Sequence, residues 1–245
     1  PRVVIAISVQ SALSLKLEQL VLDRPELDIR LTADGAWRVA GLDWAPHTQS
    51  DGTAADWLFS QREVIVRGGT VRWTNERRPQ QPISGLLSPW MAKTATPSSR
   101  EKTTPVTLSL SDVDLVLRNS ARHHDVRLDA TPPQEWGVRF VGIGRFRRSL
   151  LSIHPSQWAD WTGQVYAYFP AVDVAQLSQH APLGVDIATG HGSLRLWSDV
   201  TRGQWTGGVA DVNLTGLKTT WAENAQALVF ESLSGRLGAR VNSLG

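Results

Sequence analysis

Alternation of apolar and polar residues over short runs is the feature of this sequence that most limits its fold. Every second residue of 106–110 is apolar, and after Ser111 and Asp112 the apolar positions of 113–117 resume with the opposite parity. Successive side chains of a strand point to opposite faces, so each such run makes a strand with one apolar and one polar face. The pattern recurs along most of the 245 residues. The sequence therefore predicts an all-β fold.

Composition excludes several classes of protein. Charged residues make up 20% and hydrophobic residues 41% of the chain, which is typical of a globular protein and not of a disordered or membrane-embedded one. The longest apolar run, residues 3–7, is far shorter than the ~20 residues that span a bilayer. The chain contains no cysteine, which excludes disulfides, zinc–cysteine sites and thiol catalysis. Because it begins at Pro1 and its single methionine is Met91, we expect a piece of a longer protein.

Three segments depart from simple strand patterning. Gly68 and Gly69 follow a strand at 63–66, and their freedom to adopt positive φ predicts a tight hairpin. Residues 79–105 contain five prolines among Ser and Thr, which predicts a long inserted flexible loop with a short turn of helix inside it. Residues 173–180 have apolar side chains three apart and predict a short helix. Strands are expected to follow the loop, including one over 136–146.

Catalytic motifs are missing from the sequence. It lacks the Gly-x-Ser-x-Gly nucleophile turn, the phosphate-binding Gly-x-x-x-x-Gly-Lys loop and the zinc-binding His-Glu-x-x-His helix. His123, His124 and Asp125 form the only cluster that suggests metal or acid–base chemistry, but adjacent histidines of a strand point apart. We interpret this cluster as an ordinary solvated loop. No enzymatic activity, cofactor or metal is predicted.

The one local basic cluster is Arg145, Arg147 and Arg148. The formal net charge of the chain is only +2, and nucleic-acid binding would need denser charge and a recognisable motif, so no nucleic-acid partner is expected. A strand edge protected by charge is the favoured interpretation, and contact with phosphate or with lipid headgroups is the weaker alternative.

Tryptophan is abundant, with eleven residues. Core packing explains most of them, and some are expected at the rim of a groove, where an amphipathic ring contacts apolar ligand and water together. A sugar-binding platform is a third interpretation. It would need polar side chains around the aromatic rings, and the sequence shows no such alternation next to the tryptophans.

Several blocks of sequence carry a family resemblance. Residues 57–78, WLFSQREVIVRGGTVRWTNERR, together with LSDVDLVLRN at 110–119 and RLDATPP at 127–133, resemble YhdP-like proteins of the AsmA/TamB superfamily. LSGR at 233–236 follows in the same order, and PELDI at 25–29 resembles a hairpin common in the superfamily. The resemblance covers nearly the whole chain.

The resemblance implies a fold, a location and a function. The fold is an elongated antiparallel curled sheet, the repeating β-groove or β-taco, and residues 1–245 would form one continuous segment of it. Such proteins are anchored in the inner membrane by a helix that lies outside this chain, and they extend through the periplasm of Gram-negative bacteria. They move phospholipid between the inner and outer membranes, maintain the outer-membrane permeability barrier and contact other envelope proteins.

Physical chemistry explains why an apolar groove suits this task. Exposing one methylene to water costs about 0.8 kcal/mol, so exposing a chain of about 16 carbons costs roughly 13 kcal/mol. A trough of strands with one apolar face lowers this cost without any reactive side chain. The positions expected to face the lipid are apolar residues of the inward parity: Leu108, Leu110, Val113, Leu115, Leu117, Val126, Leu128, Val138, Phe140, Leu194, Leu196, Leu228 and Phe230.

Two other kinds of protein share the same periodicity. One is a periplasmic β-rich scaffold whose apolar face is a closed core, which binds other proteins but no lipid. The other is a β-sandwich hydrolase or lectin, which would bring polar side chains together in a concave pocket. The sequence alone leaves these alternatives open, because an open groove and a closed core require the same alternation.

Overall fold

The computed structural model describes residues 2–7, 17–33, 37–39, 42–44, 53–76, 106–149, 152, 155–180, 186–220 and 226–241. The inserted loop predicted at 79–105, with its turn of helix, lies outside the described residues.

One sheet contains all thirteen described strands. The strands are β1 Arg2–Ala6, β2 Gln19–Asp23, β3 Glu26–Leu31, β4 Trp37–Val39, β5 Leu42–Trp44, β6 Glu63–Asn75, β7 Val106–Asn119, β8 His123–Thr131, β9 Phe140–Arg148, β10 Trp161–Asp173, β11 Asp186–Thr201, β12 Gln204–Thr220 and β13 Leu228–Arg240. From β6 to β13 each strand pairs with the next one in the chain. The sheet is curled and open, because β13 pairs only with β12 among the described strands. The predicted all-β curled sheet is confirmed.

The N-terminal strands add the one departure from antiparallel pairing. The first half of β6 pairs with β2 and its second half with β3, and both pairings are parallel. A parallel pair needs a long crossover between its strands, and the segment from β3 through β4 and β5 to β6 provides one. The remaining strand pairs are antiparallel as predicted.

Glycines and one aspartate act as bulges inside long strands. Gly68 has a φ of +56°, yet β6 continues through it to Asn75, so the predicted hairpin at Gly68 and Gly69 is wrong. The register with β7 shifts between Val66 and Gly69, which is the signature of a β-bulge. Asp112, with a φ of +47°, forms the corresponding bulge in β7. It causes the change of parity that the sequence shows at this point.

Two short α-helices and a 3-10 turn accompany the sheet. They are α1, Thr53–Ser60, the 3-10 turn Trp158–Asp160, and α2, Val174–His180. Helix α2 confirms the prediction for 173–180. Asp173 caps it, because its Oδ1 accepts hydrogen bonds from the backbone N–H of Ala175 at 2.8 Å and of Gln176 at 3.2 Å. Helix α1 was not predicted.

Strand β9 differs from the prediction at both ends. It begins at Phe140 and not at Trp136, which lies in a turn, so Val138 precedes the strand instead of belonging to it. The backbone N–H of Val138 instead donates to Ala171 O at 3.1 Å. β9 also lies between β8 and β10, so its arginines are not at a sheet edge. The charged-edge interpretation of Arg145 and its neighbours is therefore wrong.

Candidate functional site

The strand registers place the apolar parities on one face of the sheet, which we call the inner face. Leu115 pairs with Leu128, and Leu117 pairs with Val126. Each pair belongs to a transverse row, a line of residues paired in register at right angles to the strands, which continues across β9, β10, β11 and β12. Of the thirteen predicted lipid-facing residues, Val138 lies just before β9 and the other twelve occupy inner-face strand positions. These twelve are Leu108, Leu110, Val113, Leu115, Leu117, Val126, Leu128, Phe140, Leu194, Leu196, Leu228 and Phe230.

At one end of the strands the inner face is covered by an aromatic cluster, which we call the aromatic cap. It consists of Phe59 from α1, His124, Phe146, Trp158 and Trp161. The rings of His124 and Trp161 stack at 4.4 Å with an interplanar angle of 11°, and Phe59 meets Trp161 edge-on at 5.0 Å. Helix α1 thus closes this end by packing aromatic rings in favourable geometries.

His124 is buried inside the cap, so its interpretation as part of a solvated loop is wrong. Its Nδ1–H donates to Asn119 Oδ1 at 2.7 Å, and its Nε2 is buried with no hydrogen-bond partner. Burial, followed by the positive charges of Arg148 and His123, lowers the pKa of His124 to about 4. The ring is therefore neutral at neutral pH. Within the described ranges, no three His, Asp or Glu side chains come together in a geometry that could hold a metal ion.

At the other end of the strands, an apolar cluster forms beneath α2. Its buried members are Val172, Val174, Leu194, Val212, Leu214 and Leu217. The predicted residues Leu196 and Phe230 pack against it and remain half-buried. Helix α2 follows β10 directly, so the chain covers this part of the inner face locally.

An apolar cavity of about 130 Å³ lies beside this cluster. Four predicted residues line it, together with side chains from the β8–β9 connection, β10 and α2: Leu108, Leu110, Pro132, Trp136, Val138, Phe140, Phe169, Ala171, Val172 and Leu177. The rings of Phe140 and Phe169 stack across the wall at 5.0 Å. A partly open pocket of this size with an apolar lining has room for small apolar groups.

Small residues form the floor of the inner face between the aromatic cap and the apolar cluster. We call this region the trough: Gly142, Ala167, Ser198, Gly208 and Ala210, bordered by the half-buried Leu115, Val126, Leu128 and Leu196 and, beneath the Phe146 ring of the cap, by Gly144. A Cβ atom built on Gly142 would meet no atom closer than 3.9 Å. One built on Gly235 of β13, further along the inner face, would meet nothing within 4 Å. Among the described residues, the inner face is therefore open above Gly142 and above Gly235.

Among the described residues, apolar side chains of the inner face stay exposed on the edge strands β1 and β13. On β1, Val3 and Ile5 are 59% and 52% exposed, and on β13, Leu228 and Leu237 are 43% and 56% exposed. Val3 and Ile5 pair with the inner-face residues Leu22 and Leu20. Leu228 and Leu237 pair with Thr219 and Ala210, so all four exposed residues lie on the inner face. Large exposed apolar patches of this kind mark surfaces that bind apolar ligands or other protein.

The opposite, outer face is polar and carries ion pairs between neighbouring strands or along them. Arg118 Nε lies 2.8 Å from Glu63 Oε1, and Arg127 Nε lies 2.8 Å from Asp129 Oδ2. The hydrogen bond from Arg118, with a second from Gln19, lowers the pKa of Glu63. The sheet is thus apolar on one side and charged on the other.

Comparison with known proteins decides the family. A family model described as YhdP protein matches residues 1–243. The chain belongs to the YhdP family. YhdP proteins are AsmA-like lipid-transport proteins of the cell envelope. No curated protein and no solved structure matches the chain significantly. Among the described residues, no helix has the length and hydropathy to cross a bilayer.

Two parts of this YhdP-family site were missed by sequence reasoning. One is α1, whose Leu58 and Phe59 cover the inner face. Its eight residues are too few to show a helical period clearly. The other is the floor of the trough. Gly142 and Gly144 both occupy inner-face positions of β9. Glycine inside a strand often marks a site where a ligand or another backbone approaches closely, so this pair was the sequence signal for the floor.

Proposed function

We propose that this chain is a segment of an inner-membrane-anchored periplasmic protein that holds phospholipid acyl chains in the trough. In this proposal it carries phospholipid between the inner and outer membranes and so maintains the outer-membrane permeability barrier. The anchor helix would lie outside this chain, and residues 1–245 would form one continuous groove segment. Membership of the YhdP family supports the lipid cargo.

The observation that carries the proposal is the trough itself. An apolar face with a floor of glycine, alanine and serine runs across the sheet and has room above Gly142. A closed core would fill that space with side chains, because protein interiors pack as densely as organic crystals. At about 0.8 kcal/mol per buried methylene, an acyl chain lying on this floor regains the part of the bilayer stabilisation that corresponds to its covered side.

The dimensions of the inner face also fit a lipid tail. The floor of the trough crosses the sheet from Leu128 on β8 to Ala210 on β12, which is four strand spacings or about 19 Å at ~4.8 Å per spacing. A tail occupies about half of the ~30 Å hydrocarbon core of a bilayer, or about 15 Å. The cavity of about 130 Å³ beside Phe140 would accept the methyl end of such a tail.

Native mass spectrometry tests the proposal. The chain is purified from the periplasm of a Gram-negative host, and bound phospholipid is extracted and quantified. Gly142→Trp should fill the trough and remove most of the lipid, because the indole would occupy the space that the glycine leaves open. Val141→Trp is the matched control, since Val141 is the neighbouring residue of β9 and lies on the outer face.

The outcomes distinguish a lipid groove from a scaffold whose apolar face is closed. Phospholipid that is lost in Gly142→Trp and retained in Val141→Trp supports a lipid groove. A folded chain with no co-purifying lipid would overturn the proposal and favour the scaffold with a closed apolar face.

A further inference from the structure

A row of aromatic and apolar side chains crosses the outer face, on the side away from the trough. Ile143, Tyr166, Trp197 and Val209 are in register on the four consecutive strands β9 to β12. The rings of Tyr166 and Trp197 lie 5.5 Å apart at 48°, and Trp197 is 38% exposed. The adjoining rows of the outer face carry charged side chains, among them Arg145, Asp199 and Arg195, so the exposed indole is not part of a core.

Polar side chains frame this row on one side. Gln164 Nε2 donates to Asp199 Oδ1 at 3.0 Å, which leaves Asp199 Oδ2 and Gln164 Oε1 as free acceptors in the described structure. Arg145 precedes Gln164 in the same transverse row, and Arg240 lies beside them. Within the described residues neither arginine has an ion-pair partner. Two cations and one anion line the depression, and Asp125 of β8 stands opposite Arg145 in the same row.

An arginine also holds the other side of the row. Arg236 forms a two-point ion pair with Asp211, and its guanidinium carbon lies 5.8 Å from the centre of the Trp197 ring. This cation–π contact fixes the indole without covering it, because the ring remains 38% exposed. The row is therefore an ordered aromatic platform.

The size of the feature favours a small ligand over a protein partner. The residues line a depression of about 380 Å³, within the ~300–1,000 Å³ of small-molecule sites. The row spans three strand spacings, about 14 Å, and with its polar frame covers on the order of 200 Å². A stable protein interface buries about 800 Å² on each partner. β9 to β12 are interior strands with both edges paired, so a peptide cannot add to the sheet here.

We propose that this depression binds an anionic saccharide. The C–H face of a pyranose ring packs on Trp197 and Tyr166, since these rings present apolar faces beside hydrogen-bonding groups. The sugar hydroxyls bond to the free acceptors of Gln164 and Asp199. A carboxylate or phosphate on the sugar pairs with Arg145 and Arg240. The sequence did not reveal this site, because the polar groups around Trp197 come from other positions of β9, β10, β11 and β13.

The site and the trough are on opposite faces of the same strands. Saccharide binding would therefore attach the chain to a glycan of the envelope while the lipid remains in the trough. The inference does not depend on the lipid proposal, and lipid extraction provides a separate readout of the trough.

Isothermal titration calorimetry of the whole chain tests the inference with trigalacturonate and its neutral analogue maltotriose. We expect trigalacturonate to bind, and Trp197→Ala to weaken it at least about tenfold, the equivalent of ~1.4 kcal/mol. The matched control is Trp57→Ala, which removes an exposed tryptophan of α1 and should leave binding unchanged. The double variant Arg145→Gln with Arg240→Gln should lose the preference for trigalacturonate over maltotriose. Thermal unfolding confirms that each variant is folded.

Three results would overturn the inference. They are the absence of binding by either saccharide, equal binding by the chain and by folded Trp197→Ala, and binding of hexaglutamate or anionic phospholipid vesicles that the saccharide cannot displace. Each would assign the platform to another ligand class or to none.

Discussion

The aromatic cap and the trough lie on the same face of the same strands, yet one is filled and the other is open. In β8, His124 belongs to the cap and is buried, whereas Leu128, four residues later with the same parity, borders the trough and is half-buried. In β9, Phe146 fills the cap and Gly142 leaves the floor bare. Alternation therefore determines which side chains face inward, and the covering segments α1 and the 3-10 turn determine where that face is closed.

The largest difference is expected when a charge is placed on a covered and on an open part of the inner face. Leu117 is 5% exposed and packs with Leu20 and Val64, so Leu117→Asp should lower the free energy of unfolding by several kcal/mol, because it buries an unpaired carboxylate. Leu115→Asp, at a half-buried position of the trough, should lower it far less and should remove bound lipid. Urea unfolding measures both. Equal destabilisation by the two variants would mean that the inner face is closed throughout.

The pH dependence of stability tests whether His124 is buried in the aromatic cap. The pKa of His124 is about 4 in the folded chain, below the ~6.5 of an unfolded histidine. The unfolded chain therefore binds more protons between these values. The contribution of neutral His124 to the free energy of unfolding is fully present above pH 6.5. It is lost as the pH falls to 4, which lowers that free energy by roughly 3 kcal/mol.

Chemical denaturation at a series of pH values measures this effect. His124→Phe keeps an aromatic ring in the cap and removes the titrating group, so the slope between pH 6.5 and 4 should flatten. An unchanged slope in His124→Phe would show that another group causes it and that His124 is not buried as described.

Two glycines of β9 give a matched comparison of floor and cap. A Cβ atom on Gly144 would lie 2.6 Å from the ring of Phe146, whereas one on Gly142 would lie 3.9 Å from its nearest neighbour. Gly144→Val should therefore destabilise the chain by about 1–3 kcal/mol through overpacking. Gly142→Val should be neutral or stabilise it by up to about 1 kcal/mol, because valine favours strands. Thermal unfolding of both variants checks this order, and the reverse order would contradict an open floor.

The smallest effect is expected on the outer face. Arg118→Gln removes the ion pair with Glu63, which is largely exposed on the arginine side, and should change stability by less than about 1 kcal/mol. The difference should shrink further as salt is added, because exposed pairs are screened. Urea unfolding at two salt concentrations measures it. A loss as large as that from Leu117→Asp would show that the outer face is not a solvated surface.

Sequence patterning predicted those parts of the fold that depend on local alternation. The change of parity at Asp112 and the helix at 173–180 are both present, because each is encoded within a few residues. Gly68 forms a bulge and not the predicted hairpin. Positive φ occurs in both geometries, and only the continued pairing of β6 distinguishes them. The burial of His124 was missed because Phe59 and Trp161, which cover it, are distant in sequence.

The candidate site was predictable to a similar extent. Parity identified twelve inward residues, but it carries no information on whether another segment lies over them. The floor around Gly142 and the uncovered edges of β1 and β13 follow from the topology of the sheet, which depends on pairings between distant segments. Parity also placed Val138 in a strand, although the turn at 134–136 delays the start of β9.

Site-specific photocrosslinking tests the central claim, that lipid lies in the trough on the inner face, most directly. A benzophenone amino acid replaces Leu128, which borders the trough, or Arg127, its exposed neighbour on the outer face of β8. The chain is irradiated in the Gram-negative host, and phospholipid adducts are identified by mass spectrometry. We expect adducts at position 128 and none at position 127. Adducts at both positions or at neither, in folded variants, would contradict the claim.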